Sequence, residues 1–495
     1  MSRQWLIGAD VGSSCLKAAL VHARRGVVAV AEQSYPMHRP HPGWAENDPE
    51  DWYRALAGAV PAVLGQAGVA PADVASLCLV GQRDIAVLTD EAGNALAPVI
   101  HWTDRRAPEE TTAAYDRVGR ERLIDICGTL PIPGLVLPNL MWTRHHRPDL
   151  WRRARHALQP KDYLAYRLTG DVGTDPTGPT RSVLNDWRAG TWSEELCEAY
   201  GISRRLLPDV KYQPWEVRGE LGGAARTIGL APGTLLVAGG GDDPAAALGS
   251  GVIDPGDVSV GTGSSMSWRA VAGRPMFDPT GLVGLMPHVV PGRYLHEMVA
   301  VGSGTTLRWL RGAFGGDATY DELIAAAGAV GPGSDGLLCF PYVEGASVPV
   351  QDDHVRAVFH GISGHHGLPH FVRATLEGIA YQYPALLSAL ADRGLTATSL
   401  TISDGEARNT AWNQIKADVL GRSLTPALRV EAPAVGAAIL AGIGSGAFAT
   451  ARDGVDAVVE VGTAVRPTPA GHDIYQRLRG RWERTRDQVF PQLKP

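Results

Sequence analysis

Apolar positions along this chain recur in two rhythms, and the switches between them lay out the elements. WLIGAD, CLKAALVH and VVAVAEQSY, from Trp5 to Tyr35, are short runs rich in β-prone residues and parted by polar or glycine turns, so they predict a three-stranded meander. DPEDWYRALAGAVPAVLGQAG then takes up a helical period. Asp48 is placed as its N-cap and Pro49 at the first helical position, with Glu50 and Asp51 in the first turn, where the helix dipole favours acids. VASLCLVG, from Val74, predicts a buried strand.

The outline returns further on. LLVAGGGDDPAAALGSG predicts a strand ending in a glycine turn that feeds an Ala-rich helix, and GDVSVGTGSSMSWRA predicts strand, polar turn, strand. ADVGSSCLK and SVGTGSSMS both set Gly and a Ser pair at a strand-to-strand turn, which suggests two related halves. A long helix is expected from His370 to Gly394, then strand SLTIS, the turn DGEARN and helix WNQIKADVLG. PAVGAAILAGIGSG predicts a helix faced with small residues, and a charged amphipathic helix closes the chain from Gly471. The linker-like GVIDPGD places the division near Gly251, giving domains of 1–250 and 251–495.

Composition narrows the function. With 20% charged and 44% hydrophobic residues and a net charge of −6, the chain reads as a compact globular protein without the clustered basic surface that nucleic acid requires. Five scattered cysteines offer neither a CxxC knuckle nor a disulfide framework, and no run reaches the roughly 18 apolar residues of a membrane span. A reducing cytoplasm is the expected location, with neither nucleic-acid nor membrane partners. The histidines lack metal-ligand spacing, and the GPGSDG match at Gly331 precedes a strand, so it is no dinucleotide fingerprint.

Candidate chemistry gathers at three places. Glycine lets a backbone approach a polyphosphate closely and hydroxyls add donors, so the turns after Asp10 and Val260 suit phosphate, although each alone is also an ordinary hairpin turn. Asp10, at the end of its strand, is a carboxylate of the kind that holds Mg²⁺ through water. Asp242 and Asp243 follow three glycines. One carboxylate suffices to cap the coming helix, Asp243 being better placed for it, which leaves Asp242 as a candidate general base. Between Gly81 and Ala107, Gln82, Arg83, Asp84, Trp102 and Asp104 supply carboxylates, a guanidinium and an aromatic wall suited to a polyhydroxylated ligand, or to a surface ion-pair cluster.

Taken in order, DVGSS, HPGWAENDPEDW, GQRDIAVLTDEAG, HWTDRRA, PKDYLAYRLTGDVGTDPTGPTRSVLND, GGGDDPAAALG, GTGSS, PYVEGASVP and DGEARNTAWNQIKADVLG resemble the motifs of the FGGY family of carbohydrate kinases. The resemblance implies an α/β fold of two actin-like (ribonuclease H-like) domains with a central cleft, the first binding sugar and the second nucleotide. It implies ATP and Mg²⁺ as cofactors and Asp242 as the catalytic base, with Asp10 by the metal. Gly12, Ser13, Ser14 and Lys17 match the first phosphate turn, and Gly261, Thr262, Gly263 and Ser264 the second. Gly304 and Gly405, Glu406, Ala407 and Asn409 match nucleotide positions; Gln82, Arg83, Asp84, Trp102, Asp104 and Asp243 match the sugar site.

The implied reaction is transfer of a phosphoryl group from ATP to a terminal hydroxyl of a small sugar, a ketopentose such as D-xylulose. Arg83 and Asp84 stand where xylulose-specific members usually carry Met-His, Asn139 replaces a usual Lys, and Asp404 replaces a usual Gly, so erythritol, a glycerol-like polyol and a linear autoinducer-2-like sugar stay open as substrates. A sugar- and nucleotide-binding protein without turnover, a phosphohydrolase on the same fold and a homodimer also stay open.

Overall fold

The computed structural model describes residues 4–262, 265–281, 283–347, 350–352, 354–403, 405–428 and 431–493. It divides into two compact units, the first made of Met1–Ile253, Gly273–Leu295 and Glu431–Val459, the second of Asp254–Ala272, His296–Val430 and Glu460–Pro495. The chain first leaves the first unit after Ile253, three residues past the expected end at 250. It returns there twice, because a segment between strands and a small-residue helix find their packing partners in the first unit.

The first unit opens with the expected meander, β1 (Trp5–Val11), β2 (Cys15–His22) and β3 (Gly26–Ser34), paired antiparallel. Helix α1 (Pro49–Ala67) follows, and the Asp48 carboxylate caps it by accepting from the Glu50 N–H at 2.9 Å. Strand β4 (Val74–Gly81) is buried along its whole length because it lies parallel between β1 and a later strand, which explains its unbroken apolar run. Helix α2 (Pro160–Thr169) precedes strands β5 (Val217–Glu220) and β6 (Leu235–Val237), which complete a sheet of order β5-β6-β4-β1-β2-β3. Helix α3 (Asp242–Gly249) starts just beyond β6.

The second unit repeats the plan. Strands β7 (Asp257–Thr262) and β8 (Met266–Ala272) pair antiparallel, and β9 (Tyr294–Ala300) lies beyond β8. Helix α4 (Ser303–Phe314) follows. The long helix expected from His370 is two, α5 (Leu368–Ala380) and α6 (Tyr383–Asp392), since Pro384 has no N–H to continue the ladder. Strand β10 (Ser399–Ser403) pairs parallel with β7, as β4 does with β1, and helix α7 (Thr410–Leu420) follows it.

Helix α8 (Ala432–Gly444) belongs to the first unit, and its small residues have a specific use. A Cβ on Gly8 of β1 would lie 2.0 Å from the Ala434 carbonyl oxygen, and one on Gly436 would lie 2.0 Å from that of Ala245. Backbone thus meets backbone, and α8 is wedged between the sheet and α3. The closing helix, α9 (Pro469–Val489), packs in the second unit and buries Tyr475 and Trp482.

Candidate functional site

In the first unit, β1, β4 and β6 all end beside the start of α3, and a parallel bridge between Gly81 and Gly241 carries the pairing up to the aspartates. The turn after β1 closes through the Gly12 N–H to the Cys15 carbonyl at 3.1 Å. Gln82 ties this turn to the end of β4. Its Nε2 donates to the Gly12 carbonyl at 2.7 Å, its Oε1 accepts from the Ser13 hydroxyl at 3.3 Å, and Trp102 Nε1 donates to Ser13 Oγ at 3.1 Å. The phosphate-type turn and part of the expected sugar site are therefore one hydrogen-bonded group. Trp102 keeps 38% of its surface exposed, as a wall for a ligand must. Ser14 is exposed, and Lys17 faces Asp10 across the β1–β2 pair.

The capping expectation at Asp243 fails. Gly241, extended at φ −64° and ψ 154°, is the N-cap of α3 and offers no side chain, so both aspartates lie in the first turn. A Cβ on Gly241 would fall 2.1 Å from Arg83 Cδ, so the glycine makes room for the Arg83 side chain. Arg83 Nη2 binds Asp243 Oδ2 at 2.5 Å and its Nε lies 3.5 Å from Asp242 Oδ1. Its Nη1 reaches Thr180 Oγ1 at 3.2 Å and the Met286 sulfur at 2.9 Å. Asp84 is paired with Arg181 at 2.5 Å.

Two expected sugar contacts are placed differently. Arg83 is 1% exposed and holds the aspartates from beneath. Asp104 is wholly buried, and its oxygens accept from the Ala45 N–H at 2.6 Å, the Arg106 N–H at 2.7 Å and the Arg106 guanidinium at 2.7 and 3.0 Å, which leaves no face for a ligand. Asp104 anchors Arg106, which stacks 3.6 Å from the centroid of the Trp44 ring.

Electrostatics separate the carboxylates. The walls around Asp242 and the adjacent charge of Asp243 push its carboxyl up to about 6, with Arg83 pulling the other way. Its side chain retains 34% exposure, so a substrate hydroxyl can reach it. Burial, then the charge of Asp242, pushes Asp10 up to about 8, and its Oδ1 is buried with no hydrogen-bond partner.

Sequence reasoning did not single out Thr177, Thr180 or Arg181, which reach this group from the segment before β5. The available signal was hydroxyls and an arginine packed into DPTGPTRS.

In the second unit, Thr262, Gly304, Gly405, Glu406 and Asn409 share the lining of one pocket of about 520 Å³, with Trp412 beside them. Gly261 and Ala407 are buried next to it, while Gly263, Ser264 and Asp404 lie outside the described residues. Asn409 caps α7, its Oδ1 accepting from the Trp412 N–H at 2.9 Å. The Glu406 carboxylate is buried in an ion pair with Lys416, whose ammonium sits 3.9 Å from the centroid of the Trp412 ring. Burial lowers the Lys416 pKa, and Glu406 opposes that shift.

The sequence matches the N-terminal domain of the FGGY family of carbohydrate kinases over residues 5–249 and the C-terminal domain over 256–445. The chain belongs to the FGGY family. Among its FGGY relatives, the xylulose kinase of Escherichia coli K12 is 32% identical over 439 residues, 88% of this chain and 89% of that protein. That of Lactococcus lactis is 30% identical over 97% of this chain and 96% of its own. The crystal structure of xylulose kinase from Rhodospirillum rubrum superposes with a TM-score of 0.89 at 29% identity and covers 99% of both chains. The chain is thus an ATP-dependent carbohydrate kinase with the two-domain, actin-like α/β fold of FGGY enzymes. Among the described residues no helix is long and apolar enough to cross a membrane.

Proposed function

We propose that this kinase phosphorylates a terminal hydroxyl of D-xylulose or a closely related ketopentose, with Asp242 as the general base. The observation that carries the reading is Asp242 itself, an accessible carboxylate at the start of α3 whose pKa of about 6 leaves it ionised, yet basic enough to take a hydroxyl proton near neutral pH. Phosphoryl transfer asks little covalent chemistry of a protein, so positioning and charge supply most of the rate. Trp102, Gln82 and Asp84 orient the sugar in the first unit, and Arg83 fixes the two aspartates. In the second unit, the pocket bounded by Gly304, Gly405 and Asn409 takes the nucleotide.

Asp10 fits Mg²⁺. Its unpartnered Oδ1 and raised pKa mark a place where a cation relieves the crowding of two carboxylates. Among the described residues no cluster of three or more acidic, His or Cys side chains is arranged for a metal, which suits an ion held by one carboxylate, water and substrate phosphates. Bound there, Mg²⁺ would neutralise charge on the phosphates. The xylulose kinases among the relatives support the ketopentose, while Arg83-Asp84 keeps polyols in the test. A coupled ADP assay over xylulose, ribulose, erythritol, xylitol and glycerol decides between them. The highest kcat/KM on xylulose is expected; a preference for erythritol or glycerol overturns the assignment.

A further inference from the structure

Helix α3 begins without a side-chain cap, although it carries the proposed base in its first residue. Its geometry is set from elsewhere. The Gly241 N–H donates to Thr177 Oγ1 at 2.7 Å, and the Thr177 hydroxyl donates to Asp175 Oδ1 at 2.5 Å. Asp175 Oδ2 is paired with Lys161 Nζ at 2.7 Å, and Lys161 also meets Asp162 at 2.9 Å. Asp162 in turn is held by Arg218 at 2.9 Å and by the Thr174 hydroxyl at 2.7 Å.

Lys161, Asp162, Asp175 and Thr177 are each at most 1% exposed, too deep to touch substrate. A buried set of ions is a poor source of stability compared with apolar packing, so its presence calls for another use. The Thr177 hydroxyl has one hydrogen. The Asp175 carboxylate can only accept, so it takes that hydrogen and leaves the oxygen lone pairs facing the Gly241 N–H. The same turn reaches Arg83, because Thr180 Oγ1 donates to the Thr177 carbonyl at 2.5 Å and accepts from Arg83 Nη1. Just downstream, Arg181 and Val183 hold φ of 62° and 63°, a conformation a β-branched residue keeps only when its surroundings fix it.

We infer that Lys161, Asp175 and Thr177 form a buried positioning relay that sets the entry angle of α3 and with it the aim of the Asp242 carboxylate. The relay deepens the proposed role of Asp242 and rests on it for its effect on turnover, but its effect on α3 is independent of any activity. Thr177→Val keeps the shape and removes the hydroxyl; Thr177→Ser keeps the hydroxyl; Asp175→Asn removes the charge that orients it.

Hydrogen exchange read by mass spectrometry tests the geometry. In Thr177→Val and Asp175→Asn, exchange is expected to quicken in the peptide covering 238–249, while peptides from β1 and β4 stay as in wild type. Turnover tests the consequence. Thr177→Val is expected to lose about tenfold or more in kcat, less than the roughly 10²- to 10⁴-fold that general-base help supplies in full, with both KM values nearly unchanged, and Thr177→Ser is expected to restore kcat. Exchange over 238–249 indistinguishable from wild type in both disabling variants overturns the relay, whether or not the wild-type enzyme turns over the sugars tried. An Asp242→Asn variant that turns over at the wild-type rate overturns the base assignment instead.

Discussion

Arg83 Nε stands 3.5 Å from Asp242 Oδ1 while the same guanidinium binds Asp243 Oδ2 at 2.5 Å, so one buried cation serves two adjacent carboxylates unequally. The closer bond goes to Asp243 and the weaker attraction to Asp242. This asymmetry keeps Asp242 basic while holding it ionised.

Removing the cation makes the first prediction. Arg83 lowers the pKa of Asp242, so in Arg83→Met the carboxyl rises further above about 6. The acidic limb of the kcat/KM profile then moves to higher pH. A pH–rate series checks this; a limb that stays in place contradicts the coupling.

The wild-type profile follows from the same group. A general base works only when deprotonated, so kcat/KM falls as pH drops through about 6, approaching tenfold per unit below it. Asp243→Asn removes the like charge that raises Asp242 and frees Arg83 for it, so the limb shifts to lower pH. The sign is opposite to that of Arg83→Met, and the pair of profiles is read together.

The buried Glu406–Lys416 pair beside the proposed nucleotide pocket gives a stability prediction. Lys416→Met leaves Glu406 charged and buried, a change that costs about 3–5 kcal/mol in comparable buried pairs. Denaturant unfolding is expected to show a loss of that order, and the KM for ATP to rise. Adding Glu406→Gln is expected to recover much of the stability.

The α3–α8 contact gives another. A Cβ on Gly436 meets the Ala245 carbonyl oxygen at 2.0 Å, so Gly436→Val forces the helices apart. Overpacking of this kind costs about 1–3 kcal/mol, and the displaced α3 lowers kcat. A lowered melting temperature with unchanged kcat contradicts the link between this packing and the site.

Much of this was legible in the chain. Periodicity gave the meander and β4, and Asp48 caps α1 as its position implies. The Gly-Ser turns pointed to the doubled plan, and the small residues of α8 pointed to a close contact. What sequence concealed were long-range pairings. Asp243 looks like a cap because Asp often is one, yet Arg83, 160 positions away, takes its carboxylate. Asp104 looks like a ligand residue until Arg106 and Ala45 are seen to occupy its oxygens. Thr177 is an unremarkable threonine until Gly241, 64 residues on, donates to it. Local propensity carries no information about such partners.

The central claim is that Asp242 takes the proton from a sugar hydroxyl during phosphoryl transfer, and its most direct test is single-turnover phosphorylation of D-xylulose by Asp242→Asn. The asparagine oxygen can still accept from the Asp243 N–H, as the carboxylate does at 3.0 Å, so the start of α3 is preserved. The rate is expected to fall by at least about 10²-fold with sugar and ATP still bound. A variant retaining more than about a tenth of the wild-type rate, against that same range, contradicts the account.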